Sequence, residues 1–465
     1  MNLSQRALTV AMVAALSACA VGPDYQRPAA ASPTAFKEAP AADAGWFPAA
    51  PADALERGPW WELFGDAELN RLMPQVEVSN QNVAAAVAAY GQAQALVREQ
   101  RAGLVPSVSA DGGATRSGGG ASAGTGNRLQ ASVATSWAPD LWGRLGRTVE
   151  SAQASAQVSN ADVAAARLSA QGELATDYFA LRDADNQLVL VRSSVQGFER
   201  SLQITSNRYA AGIAPRTDVL QAQTQLANAR ADLATLTAQR AQLEHAIAVL
   251  IGKAPAEFAI TPADWTMTVP AVPLFVPSEL LQRRPDIAAA ERTVAIANAQ
   301  IGVQRSAYFP SLSLSASVGN SASRVGDLFG ASTSLWSLGV SVAQTIFDAG
   351  ATRARVEQAE IGRDAAVARY RQTVLTAFQA VEDQLSTTRS LAEQAELRRT
   401  ASEAADLTEQ QLLNRYKAGQ VSYTEVVTAQ ASALSARRTV SQLASSRQAS
   451  AIALIQALGG GWHQP

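Results

Sequence analysis

The sequence predicts a mainly α-helical chain that enters a membrane through β-strands, written as two tandem copies of one unit. Three observations carry this prediction. Asn207-Arg208-Tyr209-Ala210-Ala211-Gly212 returns as Asn414-Arg415-Tyr416-Lys417-Ala418-Gly419, an offset of 414 − 207 = 207 positions, and each copy is followed by Thr-(Asp/Glu)-Val and an Ala-Gln pair. A period this long belongs to neither a solenoid nor a propeller, so it reads as a large unit duplicated head to tail. Of the 465 residues 47% are hydrophobic but only 6% aromatic, with much of the remainder alanine, which suits long helices packed closely together. Four short runs, finally, alternate apolar and small polar residues with period two, the signature of strands.

Composition also excludes functions. The formal charge is −2 and no basic tract is present to neutralise phosphates, so nucleic acid is not an expected partner. His245 and His463 are the only histidines, and no phosphate loop or carboxylate–histidine cluster accompanies them. The serines have no activating base beside them in sequence. The chain is therefore expected not to be an enzyme and to need no metal or diffusible cofactor, with His245 a solvated helix residue.

Residues 1–18 have the layout of an export signal. Arg6 precedes an apolar run from Ala7 to Leu16, which ends in Leu16-Ser17-Ala18-Cys19. Small residues directly before a cysteine resemble a bacterial lipobox, in which the thiol is lipidated and becomes the first residue of the mature chain. An ordinary signal peptide with an incidental cysteine is the alternative. Cys19 is the single cysteine, so an intrachain disulfide is impossible. The residue after it is Ala20, not the aspartate of the inner-membrane retention signal, which favours outer-membrane sorting. No later apolar run reaches the about 18 to 20 residues of a transmembrane helix, so any crossing must use strands.

Residues 19–75 read as an irregular N-terminal arm, because prolines at 23, 28, 33, 40, 48, 51 and 59 rule out a long helix. Trp60-Trp61-Glu62-Leu63-Phe64-Gly65-Asp66 could be a binding patch, but anchoring the arm to the body is the simpler use. The first repeat spans 76–252. It opens with a helix and passes at Pro106 into a hairpin over 106–138. There Val108, Ala110 and Ala114 alternate with Ser107, Ser109, Asp111 and Thr115, and Leu129, Ala131, Val133 and Trp137 alternate with Gln130, Ser132 and Ser136. The second repeat, 286–459, holds a clearer hairpin over 310–347. Leu312, Leu314, Ala316 and Val318 alternate with serines 311 to 317, and Trp336, Leu338, Val340 and Val342 alternate with Ser337 and Ser341. Four strands with one apolar and one serine-lined face fit lipid outside and water inside; a sandwich face is the other reading. Four strands cannot close a barrel alone, whereas three subunits would supply twelve.

Each hairpin leads into a long proline-free stretch. The first, from about Leu145 to Arg208, would approach 100 Å as one helix. Leu181, Ala184, Leu188, Val191, Val195, Phe198 and Leu202 follow steps of three and four, a coiled-coil seam, and Val219, Ala222, Leu226, Ala229, Leu233, Leu236, Leu243, Ile247 and Leu250 continue it on the return. Arg240 lies in that seam with Arg447 its counterpart, and a snorkelling arginine is preferred to a ligand site. The motifs themselves are bends, near 207–215 and 414–422, with Gly212 and Gly419 supplying the left-handed turn. Both fall at the end opposite the strands. Residues 253–285 are a proline-rich linker expected to pack with the arm around the helices, and 460–465 form a tail.

The lipobox followed by Gly22-Pro23-Asp24-Tyr25, Trp60-Trp61 with Phe64 and Asp66, Asp140-Leu141-Trp142-Gly143-Arg144, the doubled Tyr-x-x-Gly bends, and Arg283-Arg284-Pro285-Asp286-Ile287 leading to Phe309-Pro310-Ser311-Leu312 resemble the outer membrane factors of Gram-negative bacteria. These are the TolC-like channel-tunnels, and the likeness is to their lipoprotein branch. It covers almost the whole chain, and the order and spacing of the motifs make it specific. The resemblance implies a homotrimer with a twelve-stranded barrel in the outer membrane and a twelve-helix periplasmic tunnel. It also implies a passive conduit for drugs or other small molecules within a tripartite efflux pump, served by a periplasmic adaptor (membrane fusion) protein and an inner-membrane transporter, with N-acyl and diacylglycerol lipid on Cys19. A conduit for metal ions or secreted polypeptides, and a structural coiled-coil envelope lipoprotein, are the alternatives.

By the same resemblance Tyr209, Gly212, Tyr416 and Gly419 would carry the adaptor contact, and Tyr416, Glu425, Asp218 and Thr428 would form the gate. Family members often place a carboxylate at the position of Thr428 and a basic residue near Val421; neither charge is present here, so no charged ring is carried over. Tyr416 and Glu425 are candidates for a hydrogen-bonded latch, with Asp218 the matching acid in the first bend, and helix capping is an equal reading for both acids. Pro215-Arg216-Thr217-Asp218 and Ser422-Tyr423-Thr424-Glu425 differ, so the two bends are expected to behave as inequivalent hairpins, the second being the preferred gate.

Overall fold

The computed structural model describes residues 21–30, 32–38, 59–119, 123–263, 265, 269–270, 272 and 283–460. Cys19, the expected signal stretch 1–18 and all but Gly460 of the expected tail 460–465 lie outside them. The chain divides into two compact units. The first comprises residues 1–30, 88–161 and 288–373, and the second comprises 31–87, 162–287 and 374–465. In chain order the long elements are α1 (Ala67–Ser79), α2 (Gln81–Ala102), β1 (Ser107–Gly119), β2 (Ala123–Trp137), α3 (Arg144–Ala210), α4 (Arg216–Leu250), α5 (Pro285–Arg305), β3 (Ser311–Ala322), β4 (Ser334–Ala343), α6 (Ala351–Lys417) and α7 (Tyr423–Ala457). The repeat is carried into the elements themselves: α3 and α6 have 67 residues each, α4 and α7 have 35, and all four pairs of bounds differ by 207 (351 − 144, 417 − 210, 423 − 216, 457 − 250).

In the first unit the strands form one antiparallel sheet in the order β1-β2-β3-β4. Its register assigns the faces that alternation predicted. Ala110, Val133, Val318 and Trp336 stand in one row across all four strands, and Val108, Thr135, Ala316 and Leu338 in the next. The opposite face carries the rows Ser107–Ser136–Ser315–Gly339 and Ser109–Ala134–Ser317–Ser337, stitched by Ser107–Ser136 and Ser317–Ser337 hydroxyl contacts of 2.9 and 2.8 Å. Leu335 is an apolar exception on the polar side. The strands outrun the alternating runs, β1 to Gly119 and β3 to Ala322, because backbone pairing continues through small residues that carry no hydrophobic pattern. No helix is long and apolar enough to cross a membrane among the described residues. The apolar row is left open to the surroundings, with Trp336 and Leu338 80% and 76% exposed.

The second unit is built on coiled-coil packing. Leu188, Val191, Val195 and Phe198 of α3 bury against Leu226, Ala229 and Leu236 of α4 and Leu434 of α7, with Leu202 and Leu233 at the margin. The steps of three and four in the sequence place these side chains on one stripe of each helix, and burial of that stripe drives the pairing. The aromatic motif anchors as anticipated. Trp60, Trp61 and Phe64 are buried, Phe64 meets Phe179 at 5.0 Å, Phe179 meets Trp265 of the linker at 5.8 Å, and Trp60 Nε1 donates to Gln171 Oε1.

Three expectations need correction. The arm does not stay irregular to residue 75. A helix starts at Ala67, capped by Asp66 accepting from the Glu68 and Leu69 amides, and it tolerates Pro74 because Leu69, Leu72, Met73 and Val76 bury one face. It stops at Asn80, whose side chain caps α2 and donates to Leu250 O. Arg240 does not snorkel. Its Nε donates to Asp185 at 2.6 Å, Nη1 to Glu244 at 3.3 Å and Nη2 to Ile260 O at 2.6 Å, so it fastens the described part of the linker to α3 and α4. The expected Tyr416–Glu425 latch is not formed either: Tyr416 pairs with Asp218, and Glu425 with Ser422.

Candidate functional site at the paired bends

Both bends are Schellman turns. Gly212 and Gly419 hold φ of 75° and 76°, conformations that side chains with a Cβ rarely adopt. The Gly212 amide donates to Tyr209 O and the Ile213 amide to Arg208 O; the Gly419 and Gln420 amides repeat this with Tyr416 O and Arg415 O. These bonds satisfy carbonyls left over at the helix ends and fix a tight reversal at the same place in each copy.

The two motif tyrosines then part company. Tyr209 is 48% exposed and Tyr416 only 3%. The difference originates in the residues just after each turn. Position 423 is tyrosine where the first copy has Arg216, and the rings of Tyr416 and Tyr423 pack 5.2 Å apart. Ala222 and Val426 complete this small core, with Val421 packed at its edge. From the first bend, Arg208 lays its guanidinium 4.8 Å from the Tyr416 ring centre and donates to the Tyr416 and Lys417 carbonyls at 3.3 and 3.4 Å. It thereby places a cation at the negative end of α6.

The acids at matched positions also differ. Glu425 accepts from both the amide and the hydroxyl of Ser422, each at 3.1 Å, so it belongs to a capping box. Asp218 sits at the same place after Pro215, which has neither an amide hydrogen nor a hydroxyl to offer. It is left to accept the Tyr416 hydroxyl at 3.3 Å. The latch therefore joins Tyr416 of the second bend to Asp218 of the first, and Glu425 is a cap. Thr424 Oγ1 adds a contact of 3.3 Å to Gln221 Oε1 across the bends. Thr428 is exposed, with its hydroxyl turned back to Thr424 O.

Burial, then the Asp218 charge, raise the Tyr416 hydroxyl above the usual phenol range against the opposing pull of Arg208. Burial pushes Tyr423 up to about 12. Both phenols therefore stay protonated at any physiological pH, and Tyr416 remains a donor. Sequence reasoning missed Arg208 and Tyr423. A signal for Tyr423 was present in the alignment of the two copies, where Arg216 stands against Tyr423 and Pro215 against Ser422; Arg208 is matched by Arg415, so the alignment gave no sign that it reaches the second bend. Among the described residues no group of three or more His, Cys, Asp or Glu is arranged to hold a metal ion.

The family model for the outer membrane efflux protein matches residues 72–253 and 276–460. The chain is 30% identical over 455 residues to the cation efflux system protein CusC of Escherichia coli O6:H1, covering 97% of each. It is 31% identical over 469 residues to the outer membrane protein OprJ of Pseudomonas aeruginosa, covering 98% of this chain and 96% of that one. The solved structure of the outer-membrane channel OprN superposes with a TM-score of 0.82 at 30% identity, covering 96% of this chain and 100% of that one.

Proposed function

The chain belongs to the outer membrane efflux protein family, and from that membership we infer that it is the outer-membrane channel of an efflux system, a passive duct with a TolC-like fold. The observation that carries the mechanism is the two-faced sheet. An apolar face open across four strands suits lipid, and a serine-lined face suits a water-filled lumen. The outer strands β1 and β4 each have one neighbour, so an edge remains on either side. Backbone donors in lipid must all be paired, and three copies joined β4 to β1 would give twelve strands with no edge.

The paired bends are the adaptor-docking and gating surface in this reading. Exposed Tyr209 and the turns at Gly212 and Gly419 offer the periplasmic adaptor its contact, and the Tyr416–Asp218 bond under Arg208 holds the second hairpin against the first. An inner-membrane transporter supplies energy and substrate choice. Drugs or other small molecules are the proposed cargo; cations are the second candidate, since the Escherichia coli relative carries that function in its name. Cys19 carries N-acyl and diacylglycerol lipid and tethers the N-terminus to the outer membrane, as the lipobox indicates.

Single-channel recording in planar bilayers tests the duct. Purified trimer should pass current in small steps, and Tyr416→Ala should enlarge them by removing the ring that Arg208 and Tyr423 hold. A trimer that conducts no ions even with this substitution would exclude a duct and leave a structural envelope lipoprotein.

A further inference from the structure

The four strands carry three charged side chains, Asp111, Arg116 and Arg128, and the register turns them to different sides. Asp111 stands opposite Ser132, and Arg128 Nε donates to Ser321 Oγ at 3.2 Å, both on the serine-lined face. Arg116 pairs with Asn127, two residues beyond the row Ala114–Leu129–Ala322, and so has the parity of the apolar face. Its height is also defined. The apolar positions of β3 run from Leu312 to Ala322, ten residues apart. At about 3.3 Å per residue and a tilt near 40° that run rises about 25 Å, the height of the apolar band of a membrane barrel. Arg116 lies one row past its edge, at the end of the sheet away from the helices. Arg324, exposed and in extended backbone, follows Ala322 by two positions and reaches the level of Asn127. Two strand spacings, about 10 Å, separate the backbones of the two arginines, a gap that long side chains close onto one anion. Neither has a carboxylate partner among the described residues.

The β3–β4 loop that carries Arg324 is folded onto the same side. Asn320 has the parity of Val318 and Trp336. Its Nδ2 donates to Gly330 O at 3.4 Å and to Thr333 Oγ1 at 3.2 Å, and Thr333 Oγ1 in turn donates to Gly330 O at 2.7 Å. An amide on the apolar side of the sheet thus draws the loop over the rim of that face. Val325 and Phe329 of this loop are 75% and 82% exposed. Large apolar side chains held out beside an unpaired cation, just past the apolar band, have the composition of a surface that rests among lipid headgroups.

We propose that Arg116 and Arg324 form a binding site for the phosphate of a lipid headgroup in the outer leaflet, with Val325 and Phe329 seated in the lipid beside it. The inference rests on the lipid-facing reading of the sheet given above. The helices leave from the opposite end of the strands, so the loop end faces the outer leaflet. Each guanidinium offers parallel N–H donors that match two phosphate oxygens, and two such forks on neighbouring strands enclose one phosphate group. Asn320 is the positioning residue, because it fixes the loop on the side where Arg116 emerges. One site per copy would place three around the outside of the trimer.

The test titrates purified trimer with diphosphoryl lipid A, and with the same glycolipid stripped of its phosphates, and counts bound lipid by native mass spectrometry. The phosphorylated form should bind in preference. Arg116→Gln and Arg324→Gln should each weaken that binding about tenfold, the loss expected of one charge-assisted pair. Arg128→Gln removes the same charge near the same height from the opposite face and should leave binding unchanged. Equal binding of the two glycolipids, or an equal loss from Arg128→Gln, would overturn the site. Inorganic phosphate that displaces the lipid at the lipid's own concentration would make this a free-anion site and overturn the lipid assignment. Planar-bilayer conductance of the same preparations separates the two levels of the argument: a trimer that conducts but fails these comparisons overturns the site alone, whereas one that conducts no ions removes the lipid-facing reading beneath it.

Discussion

Pro215 decides the chemistry of the tip. Lacking an amide hydrogen it cannot close a capping box, so Asp218 is free for Tyr416, whereas Ser422 engages Glu425. Pro215→Ser should let Asp218 fold back as a cap and loosen the latch, raising single-channel open probability toward that of Asp218→Ala. A charged hydrogen bond this long contributes about 1 kcal/mol, which is about fivefold in a two-state equilibrium. The matched substitution Glu425→Ala should leave conductance near wild type, and equal effects from both acids would contradict the assignment. Elsewhere, burial and the neighbouring Glu173 push Asp177 up to about 6. An acid whose folded pKa lies above its unfolded one binds an extra proton in the native state, so it stabilises most at low pH and loses that contribution as pH rises from about 4 through about 6. Asp177→Asn should therefore raise the melting temperature at pH 7.5 and change it little at pH 4; the group is half-buried, so the gain is about 1 kcal/mol after allowing for solvent screening.

At the scale of elements, the sheet and the seam make opposite demands. Across the sheet, Ser337 and Leu338 are neighbours in sequence but belong to different faces. Leu338→Arg should cost about 2 to 4 kcal/mol if the position lies near the bilayer midplane, read as loss of folded protein in outer-membrane fractions. Ser337→Arg should leave assembly intact and shift reversal potentials toward anion selectivity. In the seam, Leu188 is 3% exposed among α3, α4 and α7 partners, and Leu188→Ala should cost about 2 to 5 kcal/mol in thermal unfolding. Both faces and the seam were legible in the sequence because periods of 2 and 3.5 are written directly in side-chain type. The start of α1 was not. Pro74 reads as a breaker, and only the burial of Leu69, Leu72 and Met73 outweighs the hydrogen bond it forfeits.

For the whole molecule, trimer closure makes a direct prediction: native mass spectrometry of detergent-extracted protein should give three copies, and a monomeric species should lack conductance. The same scale separates what the sequence determined alone from what needed the fold. Duplication with a 207-residue offset, four alternating strands, long proline-free helices and two glycine bends are properties of residue order. They could be read because the duplication is a motif that recurs in the residue order and each of the others depends on neighbours within a few positions. The partners of Tyr416, Arg240 and the Gly22–Tyr25 motif could not. Asp218 lies 198 positions from Tyr416, Arg240 reaches back 55 to Asp185, and Tyr25 meets Glu291 across 266. Such pairs carry no periodic trace, since any of several acids could satisfy the same donor. Tertiary packing chose among them by bringing Asp218 to Tyr416 while Ser422 had already occupied Glu425.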